Sequence, residues 1–553
     1  MSAAAVVDRR RGWCPGALRP MATGDGLLVR LRLTAGHLPA ATARLIADLA
    51  MRHGNGLIDL SSRANLQLRG VTEASLGPLQ AELAQAGLLD ESPAHEAARN
   101  VLASPLSDCD LTALCDAHGA AQALEAALMG EVGAVLDTGR VPPPLTPPRK
   151  GEGRGAGEIS SLPFARLEAE REATGIVKPR RQPPPSPLRG GVRGGGPLPL
   201  PAKFSWIVDD GGALALDDIA ADVRFRAFVR EGETVWAVGF DVQAGIDWVG
   251  ACMLAALPHV ARAIGLTFAQ AMGRDPDLRR MRQLDGAARR TLVDGLAMLR
   301  VFPPHPSPLP AGERGRGFHG EPFAEAASVL PLPSGERVGV RGLATVGIHP
   351  MARDQAVLTL ALPFGRMTAR QLALLAELAE GENSGALRLG PWRQIHWPGI
   401  APDRAAVLMA KAAAAGFITD PDDARLAIIA CPGAPACGSG EVPAQEDAMR
   451  IAATVRDLAG AGFGLHVSGC AKGCAAQATG RHPPGLTLVG ARGRYELVRG
   501  GATHARPIVA LGVAEAAAGL ARLAAHCRAQ GGAAALAALG DRELAGMFVA
   551  SDG

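Results

Sequence analysis

The sequence lacks any stretch of about 18 apolar residues free of charge, so no segment reads as a membrane-spanning helix. Its opening residues, with Asp8, Arg9, Arg10 and Arg11 side by side, are not followed by the apolar core of a signal peptide. Both absences lead us to expect a cytoplasmic protein with no membrane partner. Charge of one sign is also scarce: 57 Lys and Arg against 54 Asp and Glu leave a net charge of +3, too little for bulk nucleic-acid binding. Nine cysteines in 553 residues are too few and too unevenly placed for a disulfide scaffold, and a reducing cytoplasm would keep them as thiols. Where such thiols cluster, they point to metal. What remains is a globular composition, 48% hydrophobic and 20% charged, in a chain long enough for several folding units.

Four segments, 143–155, 183–196, 304–317 and 329–342, share a Pro-rich and then Gly/Arg-rich cadence. Poor in apolar residues, they cannot offset the entropy of ordering and read as low-complexity insertions. Outside them lies an internal repeat: 36–71 aligns without gaps onto 365–400 at an offset of 329, with nine identities that include Gly36/Gly365, Gly56/Gly385 and Gly70/Gly399. Each copy predicts a β run, a helix and another β run, at 27–33, 39–51 and 57–68 in the first. A weaker echo sets Val101-Leu102-Ala103-Ser104-Pro105 against Ile428-Ile429-Ala430-Cys431-Pro432. Each half therefore holds a small and a larger α/β unit, and duplication is the simplest origin.

The strongest chemical signal is Cys431-Pro432-Gly433-Ala434-Pro435-Ala436-Cys437, then 32 residues, then Cys470-Ala471-Lys472-Gly473-Cys474. Four thiolates at these spacings suit a 4Fe-4S cluster. The prolines oppose a helix and Gly433 permits a positive φ, so the first loop can curl around a cube. On a helical turn, Cys470 and Cys474 would stand on one face. A helix over 444–458 and a strand over 464–468 would deliver the second pair, and Lys472 would offset thiolate charge. Zinc is the competing metal, although four-cysteine zinc sites favour shorter gaps than the five residues of the first pair. Cys109 and Cys115 lack the Pro/Gly context and read as buried thiols, and Cys252 and Cys527 read as core residues of Ala/Leu-rich helices.

The cysteine motif, the duplicated half-domains and the run Ser61-Ser62-Arg63-Ala64-Asn65-Leu66-Gln67-Leu68-Arg69-Gly70 resemble the nitrite/sulfite reductase superfamily. The resemblance implies an α+β, pseudo-twofold fold with two ferredoxin-like half-domains and two larger α/β domains. The expected boundaries are 1–75 for the first half-domain and 76–302 for a first α/β domain without cluster ligands, carrying an insertion at about 141–199. A second insertion at 303–342, the second half-domain at 343–402 and a cluster-binding domain at 403–553 complete the chain. In that superfamily the positions matching Arg63 and Arg99, and two lysines on a following strand, line a tetrapyrrole cleft; here Lys203 matches one lysine and Ser205 stands where the other is expected.

The opening Arg11-Gly12-Trp13-Cys14-Pro15-Gly16 and Pro20-Met21-Ala22-Thr23-Gly24-Asp25-Gly26 are similar to the precorrin-3B synthase family. That resemblance implies O2-dependent hydroxylation of precorrin-3A at C20 with γ-lactone formation. It also implies a 4Fe-4S cluster, a mononuclear non-haem iron and a separate electron donor. Arg63, Arg69, Arg99 and Lys203 would clamp the carboxylate fringe of the substrate, although a solvated strand face or a loop pairing explains each as simply. No catalytic side chain is singled out. His349, His396, His466, His482, His504 and Cys14 are the candidates for the iron, with no two-His-one-carboxylate pattern to choose among them. A sirohaem-dependent nitrite or sulfite reductase and a cluster-bearing electron-transfer protein are the alternatives.

Overall fold

The computed structural model describes residues 15–130, 196–242, 245–296, 298–301, 346–351, 355–382, 385–455, 461–475, 484–501 and 503–549. Residues 141–195 of the first expected insertion, all of the second, and Cys14 and His482 lie outside them.

Each repeat copy builds an antiparallel sheet covered by a helix. In the first, the helix Ala40–His53 buries Ala43, Ile46, Ala47, Leu49 and Ala50 along one stripe and ends at Gly54. Its counterpart Ala369–Glu380 starts with a capping box, Thr368 and Gln371 satisfying each other's backbone N–H. The β run expected over 57–68 is instead a hairpin, Leu57–Leu60 and Leu66–Val71. Ser61 Oγ accepts from Asn65 N at 3.1 Å and Ala64 turns the chain at φ 57°, so the apolar alternation crosses a tight reversal that periodicity alone does not reveal.

The two copies exchange strands. Arg366–Thr368 of the second joins the first sheet beside Leu57–Leu60, while His37–Pro39 of the first joins the second sheet beside Ala386–Gly390. The registers Arg366↔Asp59 and His37↔Arg388 are equivalent under the 329-residue offset, so the exchange is reciprocal about a pseudo-twofold axis. One apolar core spans both copies, from Leu49, Ile58 and Leu68 to Leu375, Leu389 and Trp397.

The two larger domains repeat a second pattern. In the first, Val101–Ala103, Trp206–Asp209 and Val223–Arg230 run parallel, and antiparallel strands extend the sheet. In the second, Ile428–Ala430, Gly464–Ser468 and Pro484–Ala491 run parallel before Arg494–Arg499 and Val509–Leu511 turn antiparallel. The architecture is thus α+β and duplicated. No helix among the described residues is long and apolar enough to cross a membrane.

Candidate metal centre

Adjacent parallel strands deliver the two cysteine pairs. Ile428–Ala430 leads directly into Cys431, and its neighbour Gly464–Ser468 leads into Cys470, so both pairs leave the same carboxyl edge of the sheet, the usual binding edge of a parallel sheet. Cys431 N extends the ladder to Val467 O at 3.2 Å. Two glycines let the loops meet. Gly469 N donates to Cys431 Sγ at 3.0 Å, and a Cβ at Gly469 would sit 2.8 Å from Gly433 Cα. Gly433 itself, at φ 67°, packs so closely on the helix Ala444–Thr454 that a Cβ would fall 2.3 Å from Ala444 N. Lys472 Nζ donates to Ser439 Oγ at 2.9 Å, tying the second loop to the first. Cys470 and Cys474 do not lie on a helical turn as the spacing suggested; the segment is a series of turns in which Gly473, at φ 56°, leaves the helical region.

Burial raises the pKa of Cys431, with Cys437 and Cys470 adding to the shift; burial raises Cys470 likewise, with Cys437 and Cys474 adding to it. Cys431, Cys437 and Cys470 are partly buried and Cys474 is exposed. Yet among the described residues no three His, Cys, Asp or Glu side chains close on a single ion. The donor set, four cysteine thiols on two loops that leave one sheet edge, fits an iron-sulfur cluster. That no three close on one ion leaves a mononuclear iron without a preformed ligand set among those residues. His396 is buried and its Nδ1 lies 3.0 Å from Thr359 Oγ1, His504 is exposed, and His349 is on an edge strand. His37 and His118, ring to ring at 5.3 Å, escaped the sequence reading because they sit 81 residues apart on different elements.

The first large domain carries the same edge without the cysteines. Ser104 N donates to Val208 O at 3.0 Å and Asp210 N to Ser104 Oγ at 3.1 Å, the geometry of Cys431 and Gly469 with oxygen in place of sulfur. Asp209 and Asp210 are buried there, and burial, then the charge of Asp209, pushes Asp210 up to about 7. Cys109 and Cys115 near this edge are partly buried rather than core, and Cys252 lies on the strand Gly245–Met253 rather than a helix. Cys527 is buried on the helix Val513–Gln530, as its Ala/Leu setting suggested.

Of the four cations expected to clamp a substrate, two are committed elsewhere. Arg69 has a side chain only 2% exposed. Its Nε and Nη2 donate to Asp25 at 2.9 and 2.7 Å, its Nη1 to Asp59 at 3.0 Å, and its Nη2 also to Ala436 O at 2.7 Å. It braces the cysteine loop instead of facing a ligand, and Gly24 N donates to the same Ala436 O at 3.2 Å. Arg99 pairs with Asp90 and Glu125 and donates to Thr34 Oγ1, so its guanidinium is filled from within. Sequence reasoning missed Asp25, Asp59 and Arg366 because nothing local marks a carboxylate as the partner of a residue 44 or 307 positions away. Arg63 remains partly exposed at its hairpin tip, donating from Nη2 to Ala220 O at 2.8 Å, and Lys203 is exposed. Ser205 is buried and its N donates to Asp222 Oδ2, so no second cation stands on that strand entry.

The chain is 30% identical to the precorrin-3B synthase of a Sinorhizobium species over 91% of its own length and 86% of that protein. It belongs to the precorrin-3B synthase family. Within the precorrin-3B synthase fold, residues 19–86 and 349–415 each match the nitrite/sulfite reductase ferredoxin-like half domain. A ferredoxin–nitrite reductase of Synechococcus elongatus is 22% identical across 84% of the chain and 77% of that enzyme. Among solved structures, the NirA protein of Mycobacterium tuberculosis aligns with a TM-score of 0.57 over 94% of the chain and 84% of NirA at 15% identity, a likeness of fold.

Proposed function

We propose that this protein is an oxidoreductase that converts precorrin-3A to precorrin-3B, inserting one oxygen atom from O2 at C20 and closing a γ-lactone from the ring A acetate. The observation that carries this reading is the extent of its likeness to a precorrin-3B synthase, which runs through both halves of the chain. The buried Ser205 argues against the sirohaem-dependent reductase, because reducing a small oxyanion calls for concentrated cationic charge beside it.

In this reading Cys431, Cys437, Cys470 and Cys474 hold the 4Fe-4S cluster, which when bound supplies single electrons drawn from a separate donor. Arg63 and Lys203 pair with substrate carboxylates, Arg63 offering a planar fork suited to bidentate contact. Arg69 and Asp25 fix the Cys431 loop against the first half-domain, so that the cluster edge does not drift relative to the substrate. The ring A carboxylate is already tethered to the carbon it attacks, so lactone closure gains from proximity and requires no protein nucleophile. A mononuclear iron has no ligand set among the described residues and no residue is assigned to it.

The test is to incubate anaerobically reconstituted protein with precorrin-3A, a reductant and isotopically labelled O2, and to weigh the product. One labelled oxygen is expected. A product without label overturns oxygen insertion, and sirohaem bands in the purified protein would favour the reductase.

A further inference from the structure

Both cations assigned to the substrate lead back to one segment of the first large domain, 216–222. Arg63 Nη2 donates to Ala220 O at 2.8 Å. Two residues on, Asp222 N donates to Ser205 O at 2.9 Å and Asp222 Oδ2 accepts from Ser205 N at 3.0 Å, which ties down the backbone just after Lys203. The segment also meets the other repeat copy. Trp392, the counterpart of Arg63 under the 329-residue offset, donates from Nε1 to Asp218 Oδ2 at 2.8 Å. The two hairpin tips touch each other through an antiparallel bridge, Arg63↔Pro391. A single stretch of chain therefore holds the tips of both copies and the strand entry that carries Lys203.

That stretch has no helix or strand of its own to keep its shape. Leu216, Ile219 and Ala221 are buried in the apolar core shared by the two copies, which takes their peptide groups out of water and leaves them to find partners inside the protein. Arg224 and Asp241 supply those partners. The fully buried Arg224 donates from Nη1 to Leu216 O at 2.8 Å and from Nη2 to Ile219 O at 2.6 Å, while its Nε and Nη2 reach Asp241 Oδ1 at 3.3 and 3.1 Å. Asp241 Oδ2 accepts from Ala221 N. The peptide unit whose N–H is held by Asp241 is thus the one whose carbonyl, Ala220 O, receives Arg63. Because a peptide is planar, fixing the direction of its N–H fixes that of its C=O.

We propose that Arg224 and Asp241 are positioning residues of the substrate site: they orient the Ala220–Ala221 peptide that aims Arg63 and, through segment 216–222, set the spacing between Arg63 and Lys203 so that the two cations pair with two carboxylates of one substrate. This rests on the substrate reading above. A guanidinium pinned at one nitrogen by a rigid carbonyl has less rotational freedom to lose when a carboxylate arrives, so the ordering cost of binding falls. Lysine in place of Arg224 keeps a charge for Asp241 but lacks the planar fork that spans two carbonyls.

The experiment is a double-mutant cycle on anaerobically prepared, cluster-loaded protein. Retention of precorrin-3A is compared among wild type, Arg224→Lys, Arg63→Ala and the double variant, with cluster absorbance and urea unfolding followed for each. Arg224→Lys should weaken retention about tenfold by itself and less than about twofold where Arg63 is already alanine, and it should raise KM more than it lowers kcat. Ala220→Gly loosens the same peptide at an exposed position and should show the same dependence on Arg63, which keeps the test open if Arg224→Lys does not fold. Equal losses in both backgrounds, or no loss, would assign Arg224 to the fold alone and overturn the proposal. Unchanged retention in Arg63→Ala overturns it too, whereas a wild type that retains no precorrin-3A overturns the substrate reading on which it stands.

Discussion

Replacing Arg69 by methionine tests the bracing role that displaces it from the substrate site. The substitution keeps the volume of the side chain and deletes four hydrogen bonds, three to Asp25 and Asp59 and one to Ala436 O. Asp59 retains Arg366, but Asp25 keeps only Thr23 and Asn55 as polar side-chain partners. Breaking one side of a buried pair costs about 3–5 kcal/mol, most of it the penalty of the carboxylate left behind. Urea unfolding at neutral pH should register a loss of that size. The cost should shrink in acid. Although burial opposes it, the hydrogen bond from Arg69 helps to hold the Asp25 pKa below its ordinary 3.8. A lowered carboxylate pKa stabilises the fold above the unfolded value and gives up that contribution as pH falls through the folded one, so wild type and variant converge below about pH 4. Hydrogen exchange supplies the local readout: the Cys437 N–H, bonded to Gly433 O at 2.7 Å, should exchange faster once Ala436 O loses its guanidinium. A loss under about 1 kcal/mol with unchanged exchange in this loop would refute the reasoning.

Gly469→Ala should sharply lower iron and sulfide content per chain, because its Cβ would press within 2.8 Å of Gly433 Cα and part the two cysteine loops; full cluster content would contradict the close approach. Asp210→Asn should flatten the pH dependence of stability between about pH 4 and 7. Burial raises the wild-type pKa to about 7, so its contribution is present below the unfolded value and lost as pH rises through the folded one, worth up to about 4 kcal/mol at the upper end. A variant with the wild-type slope in urea titrations would remove that group from the account. Arg63→Ala should weaken precorrin-3A retention about tenfold or more, the loss of a charge-assisted hydrogen bond, while leaving cluster absorbance unchanged. Loss of the absorbance instead would mean that Arg63 supports the fold.

The large features were legible because they rest on local pattern. Gapless repetition between Gly36 and Gly399 disclosed the duplication, and the Pro/Gly context of Cys431 and Cys437 marked a loop able to enclose a cluster. The echo of Val101 in Ile428 held because both begin the parallel part of a sheet. What escaped was nonlocal. The reciprocal exchange of His37–Pro39 and Arg366–Thr368 between sheets leaves no mark in either copy's periodicity. Arg69 and Arg99 were read as ligand clamps because a sequence displays a cation without showing that a distant carboxylate has already claimed it.

The most direct test of the central claim is Mössbauer spectroscopy of iron-57-labelled protein purified without oxygen, alongside serine variants of Cys431, Cys437, Cys470 and Cys474. The account predicts the spectrum of one cubane cluster in the wild type and its loss or conversion in each variant. A wild type without that spectrum, or four variants that leave it unchanged, would contradict it.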